Sequence, residues 1–239
     1  MRTSFAAVTV IVVLALSMGI CAADPYLDLM GEAGMPGGMS NSWVGSTGLI
    51  MTPTATVAKA AGAIVSYHYI DGDPNSGNVF NVNVGLPGGF EIGAAWLDDG
   101  YTAADDEAIV NLKYSVPLGR FTGGLKAPAV AVGAWDITNE VNRSYYIVLS
   151  TDLPTGKDSE FSAVRLSLGF ADSDVDTDRM DGIFGGVELV PFRWGLLKAE
   201  YDGEDLNASL AYQASDWASV ELGTLGGDWG IGLNAWTNW

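Results

Sequence analysis

From about Gly62 onward the chain breaks into short stretches of alternating polarity, separated by Gly, Pro, Asp and Asn. In 108–116, Val110, Leu112, Tyr114 and Val116 fall on one side and Asn111, Lys113 and Ser115 on the other. The same holds in 162–170, where Val164, Leu166, Leu168 and Phe170 oppose Arg165, Ser167 and Gly169. Leu206, Ala208, Leu210 and Tyr212 oppose Asn207, Ser209 and Gln213, and Val220 and Leu222 oppose Ser219, Glu221 and Gly223. Side chains alternate across a strand, so each stretch predicts a β-strand with one apolar and one polar face. About twelve such stretches follow one another, near the ~9–11 residues that a tilted membrane-crossing strand needs.

Alternation alone also fits an exported soluble β-sandwich that binds carbohydrate. The polar face separates the two. A solvated face carries long charged side chains, whereas here Asn81, Asn83, Gly85, Gly93, Gly230, Gly232 and Asn234 predominate, small groups suited to a crowded, narrow lumen. The apolar face carries Tyr67, Tyr69, Phe90, Trp96, Tyr114, Tyr201, Tyr212 and Trp229, several near strand ends where an aromatic girdle would lie. The final stretch places Trp229, Ile231, Leu233, Ala235, Thr237 and the terminal Trp239 on one face. A terminal aromatic closing such a strand resembles the signal of bacterial outer-membrane barrels. The expected fold is therefore all-β, an antiparallel up-and-down transmembrane β-barrel of about 12 strands over 62–239.

Composition sharpens this. Hydrophobic residues make up 48% and charged residues 17% of 239 residues, with mean hydropathy +0.20. No segment after residue 23 approaches the ~20 continuous apolar residues of a helical span, so a barrel, which hides apolar residues by alternation, accounts for the balance. Ahead of it, Arg2, the apolar run Phe5–Ile20 and Cys21-Ala22-Ala23 predict a cleaved secretory signal over 1–23. Lipidation of Cys21 is disfavoured because Ile20 stands where a small residue is needed. Residues 24–61 form an N-terminal arm, rich in Gly, Met, Pro and Ser over 24–48 and expected to be loosely ordered there. Eleven basic against 29 acidic residues exclude nucleic acid as a partner. Most loop acids fall into one alternate set of connections, notably 98–107, 171–181 and 202–205, whereas the other set carries Asp158, Glu160 and Asp216. That two-sidedness fits an up-and-down barrel in an outer membrane, with the acidic loops outward and outer-membrane lipid as its surroundings.

The arm contains Gly48-Leu49-Ile50-Met51-Thr52-Pro53-Thr54-Ala55, followed by Gly62 and a Tyr-rich strand. With Phe184-Gly185-Gly186-Val187-Glu188 and Lys198-Ala199-Glu200-Tyr201-Asp202-Gly203, this resembles the YjbH-like outer-membrane β-barrel family associated with exopolysaccharide production. The chain is far shorter than a typical member. The resemblance implies a non-enzymatic accessory to surface polysaccharide production or export, with polysaccharide or export machinery as partners. A small porin-like solute channel is the alternative. On the residues themselves, Pro53 marks a turn or strand entry, and Gly185-Gly186 a kink or the close approach of another segment.

The inward charges are the candidate site. Lys113, Arg165 and Lys198 would point into the lumen with Glu91, Glu188, Glu200 and Glu221, pairing there either as a stabilising plug or as the lining of a selective conduit. Asp172, Asp174, Asp176 and Asp178 form a candidate weak cation-binding loop, yet Thr177 and Ile183 break the calcium-loop pattern. His68 is the only histidine, in mid-strand and facing the lumen, and no Gly-x-Ser-x-Gly elbow exists, so no catalytic residues are assigned. The sequence also holds no Cys/His metal cluster and no phosphate-binding loop, and no cofactor is expected.

Overall fold

A computed structural model describes residues 39–72, 76–98, 107–118, 126–153, 163–174, 180–192 and 194–237. The expected signal over 1–23, the first part of the arm, Asp176, Asp178 and the terminal Trp239 lie outside the described residues. Twelve strands follow in order: β1 (Ala63–Asp71), β2 (Gly77–Leu86), β3 (Phe90–Leu97), β4 (Glu107–Pro117), β5 (Lys126–Trp135), β6 (Ser144–Leu153), β7 (Ala163–Ser173), β8 (Gly182–Phe192), β9 (Gly195–Tyr201), β10 (Leu206–Ser215), β11 (Ala218–Leu225) and β12 (Asp228–Trp236). Each pairs antiparallel with its neighbour in sequence, and β1 pairs with β12, from Ile64 opposite Trp236 to Asp71 opposite Trp229. The sheet is a closed barrel and has no free edge.

Closure lets the backbone satisfy its own hydrogen bonds in lipid, and the side chains complete the fit. Leu168, Leu222, Ile147, Leu149 and Val132 project outward and are exposed, with Leu168 at 63%. Their neighbours Ser167, Glu221, Tyr146, Val148 and Ala131 turn inward and are buried. Aromatic side chains cluster at both rims. Phe90 and Tyr114 pack with ring centroids 4.5 Å apart near the proximal end, where β1 starts and β12 finishes. Tyr69 and Trp229 meet edge-on at 6.3 Å near the distal end. An outward apolar band between two aromatic rims is the exterior of a membrane-crossing barrel. The protein is an outer-membrane β-barrel.

The strand ends that flank the acid-rich connections all lie at the distal end, since up-and-down topology sends alternate strand ends to opposite rims. Chain order gives this directly, because β1 runs from proximal to distal and each later strand reverses.

The outward face generates a prediction. Leu168→Arg should lower insertion, because a lipid-facing Arg at mid-membrane costs ~2–4 kcal/mol, whereas Leu168→Phe should insert normally. Heat-modifiable gel mobility of the membrane fraction reads the difference. Equal assembly of the two variants would show that Leu168 does not face lipid.

Candidate functional site

The lumen contains a length of the chain's own backbone. From residue 39 to residue 56 every side chain is buried, and the surrounding wall belongs to the barrel. The arm expected to be loosely ordered over 24–48 is, from residue 39 on, the filling of the barrel. Met39 and Ala58 pack in the proximal half with Ile64, Val190, Leu196 and Trp236. Trp43, Ile50 and Met51 pack in the distal half with Ile70, Val79, Leu97, Ile109, Trp135 and Leu225. The segment thus reaches the distal half twice, and internal backbone bonds hold its shape. Trp43 N donates to Ile50 O at 2.8 Å, Leu49 N to Thr52 O at 2.9 Å, and Gly48 bridges Pro53. Pro53 therefore sits at a turn, as its type predicts.

A peptide in a lumen brings polar groups that must all find partners. Glu91 supplies two acceptors: its Oε1 takes Thr47 N at 2.8 Å and its Oε2 takes Ala58 N at 2.7 Å. Lys113 Nζ lies 3.3 Å from Glu91 Oε1 and donates to Thr47 O at 2.6 Å. Lys198 Nζ donates to Asn41 O at 3.0 Å and Leu49 O at 3.1 Å, and pairs with Glu221 Oε1 at 3.1 Å. Glu200 receives three successive amides: Ile50 N at 3.1 Å, Met51 N at 2.7 Å and Thr52 N at 3.1 Å. Thr52 Oγ1 adds a fourth bond at 2.8 Å, and Asn207 Nδ2 a fifth from the wall at 3.2 Å. Arg165 pairs with Asp152 at 2.8 Å and lies 3.6 Å from Glu188, whose other oxygen accepts from Ser40.

Lys113, Arg165, Lys198, Glu91, Glu188, Glu200 and Glu221 all stand inside the barrel, each at least 96% buried. They bind each other and the plug backbone together. Two participants escaped the sequence reading. Asp152 is Arg165's nearer partner, and the alternation of β6 could have placed it inward. The second is residues 39–58, whose Gly, Ser and Thr content reads as a loose arm unless the matching wall is known.

Small wall residues make room for the plug. A Cβ on Gly93 would stand 2.0 Å from Gly45 O, and one on Gly230 would stand 2.5 Å from the Trp43 ring. A Cβ on Gly186 would stand 2.2 Å from Ala199 O on β9 and 2.8 Å from the Leu49 side chain, so the close approach expected at Gly185-Gly186 is made by the neighbouring strand and the plug together. Asn111 Nδ2 donates to Val44 O at 2.8 Å and Gly45 O at 2.7 Å. A void beside Met51, Pro53 and Trp135 measures about 10 Å³, roughly the room of one water.

His68 lies in this wall, fully buried and stacked on Trp43 with centroids 5.1 Å apart. Neither of its ring nitrogens has a hydrogen-bond partner, so no nucleophile or carboxylate engages it as a triad requires. Of the acidic loop, Asp172 is exposed at the end of β7, and Asp174 is paired with Arg143 at the rim. That hydrogen bond raises the Arg143 guanidinium above its usual value. Among the described residues no His, Cys, Asp and Glu group is arranged to hold a metal.

No family model matches this chain, and no curated protein does. The solved structures it is similar to include a KdgM porin in complex with disordered oligogalacturonate, at 13% identity, covering 74% of this chain and 99% of that one with TM-score 0.49. A NanC porin gives 10% identity, 74% and 100% coverage and TM-score 0.48. Omp33 of Acinetobacter baumannii gives 11%, 74% and 97%, and TM-score 0.41. The resemblance to YjbH-like proteins is corrected: no family model and no curated protein supports it. The residues that carried it have a local reason here: Gly48–Ala55 forms the plug turn, Gly186 clears Leu49, and Lys198 and Glu200 bind that turn. The exopolysaccharide role rested on that resemblance, and no contact in the lumen speaks for it.

The buried and rim ion pairs should respond differently to truncation. Glu91→Ala leaves Lys113 without its counter-ion and the amides of Thr47 and Ala58 without acceptors, at a cost of ~3–5 kcal/mol. Thermal unfolding in detergent should fall by on the order of 10 °C. Arg143→Ala, which breaks the exposed rim pair with Asp174 and the guanidinium's contact with the Tyr145 ring, should unfold at nearly the wild-type temperature. If the two variants unfolded together, the plug contacts would not be holding the protein.

Proposed function

We propose that this protein is a porin-like outer-membrane channel for small solutes, held closed by its own residues 39–58. One observation carries the reading: among the described residues, buried polar side chains stand on every strand of the wall except β5, beside an apolar sector that includes Tyr146, Val148 and Phe184. Ser66, Asn81, Asn111, Ser150, Asn207, Ser219 and Asn234 all face inward and are buried beneath the plug. With the plug withdrawn, these groups would line a water-filled passage, as the lumen of a conducting barrel requires. The plug is moreover a single covalent segment leading straight into β1, with Ala61 N bonded to Gly85 O at 2.9 Å at the proximal rim. It can leave the lumen without leaving the protein.

A second reading has its own support. The density of bonds from Glu91, Glu200, Lys113 and Lys198 suits a plug that never moves and serves only to stabilise the barrel.

A disulfide lock separates the two. Ala55 N donates to Ser150 Oγ at 2.8 Å, so Ala55→Cys/Ser150→Cys places two thiols across the gap between plug and β6. In planar bilayers the wild type should show infrequent openings, the oxidised lock none, and the reduced lock openings again. A wild type that stays silent at every voltage would leave only the permanent plug.

A further inference from the structure

Of the seven lumen charges placed above, one has no ionic partner on the wall among the described residues. Lys113 pairs with Glu91, Lys198 with Glu221, and Arg165 with Asp152 and Glu188. Among the described residues no lysine or arginine pairs with Glu200, and its principal partners belong to the plug. Three successive amides converging on one carboxylate make an anion-binding nest, here with the anion supplied by the wall. This contact lies at the plug's second distal excursion, beside the apolar cluster of Ile50 and Met51.

Withdrawal of the plug would change the charge balance of the lumen in a defined way. The wall–wall pairs would stay matched, because both members stand on strands. Glu200 would lose all its plug donors and keep only Asn207, becoming an uncompensated carboxylate facing the passage. Arg165, shared between Asp152 and Glu188, adds a further negative excess nearer the proximal end.

We propose that Glu200 has two roles: with the plug in place it is the latch on the Ile50–Thr52 turn, and with the plug withdrawn it is the acid that makes the passage prefer cations. The second role rests on the channel reading above, and the first does not. Small cations and cationic solutes are then the favoured cargo. Anionic oligosaccharides are disfavoured, since they would meet an unpaired carboxylate in a restricted lumen.

The full-length protein allows both roles to be read. The substitution Glu200→Gln keeps the shape of the side chain and removes its charge. Charge-assisted bonds are roughly twice as strong as neutral ones, so openings in planar bilayers should become about tenfold more frequent. In a potassium chloride gradient the wild-type openings should reverse on the cation-selective side, and the Glu200→Gln openings closer to zero. A variant that opens no more often than wild type would overturn the latch. One that opens more often with unchanged reversal potential would overturn the selectivity role.

Plug release can also be followed without conduction. Met51→Cys, buried at 5% exposure, should react with a thiol reagent about tenfold faster in the Glu200→Gln background than in the wild-type one. Faster labelling in a protein that never conducts would uphold the latch while rejecting the channel. Should Glu200→Gln fail to form a heat-modifiable barrel, Thr52→Val removes one of the plug's donors and leaves the wall intact. It should raise opening and labelling by a smaller factor, with wild-type selectivity, and no change in either would overturn the latch.

Discussion

The carboxylates of Glu91 and Glu200 solve the problem on which this lumen depends. A folded peptide inside a sheet-walled tube cannot pair its amides with the wall backbone, because that backbone is already committed to the barrel ladder. Side chains must supply the acceptors. A carboxylate is the densest acceptor available, and between them these two take five plug amides. The lysines do the converse task, giving donors to the carbonyls of Asn41, Thr47 and Leu49. Charge in this lumen therefore serves hydrogen-bond matching at least as much as ion pairing. That explains why Glu200 tolerates having no cation beside it.

The same constraint shapes the barrel wall. Space and polarity alternate around it: Gly93 and Gly230 where backbone or the Trp43 ring comes close, Asn111 and Ser150 where a carbonyl or amide needs a partner. The outward face is held to a different rule, apolar between aromatic rims. The two faces of each strand thus answer to separate solvents, lipid outside and a peptide inside.

Much of this was legible in the chain. Period-two alternation such as Val164 to Phe170 against Arg165 to Gly169 gives strand and face together, because a barrel repeats the rule along most of its strands. The inward placement of Lys113, Arg165 and Lys198 followed from the same periodicity. What could not be read was the partner of the inward face. Small polar residues suit a narrow empty lumen and a filled one equally well. The sequence 39–58 has no period of its own, since its conformation is imposed by the wall around it. The family resemblance failed for a related reason. Gly48–Ala55 is short and turn-rich, and residues that any tight turn inside a barrel would favour recur without common descent.

Met39 and Ala58 both lie in the proximal half, so the described segment between them doubles back and has both of its ends on the same side of the lumen. Between residues 39 and 58 it does not pass from one end of the ring that β1 and β12 close to the other. A hairpin of this kind can fill a ring that is already sealed. Assembly in the membrane need not wait for the lumen to be packed, and an emptied barrel would carry its own stopper on a tether a few residues long. Refilling is then a unimolecular event, as fast as the tether can search and independent of how much protein the membrane holds.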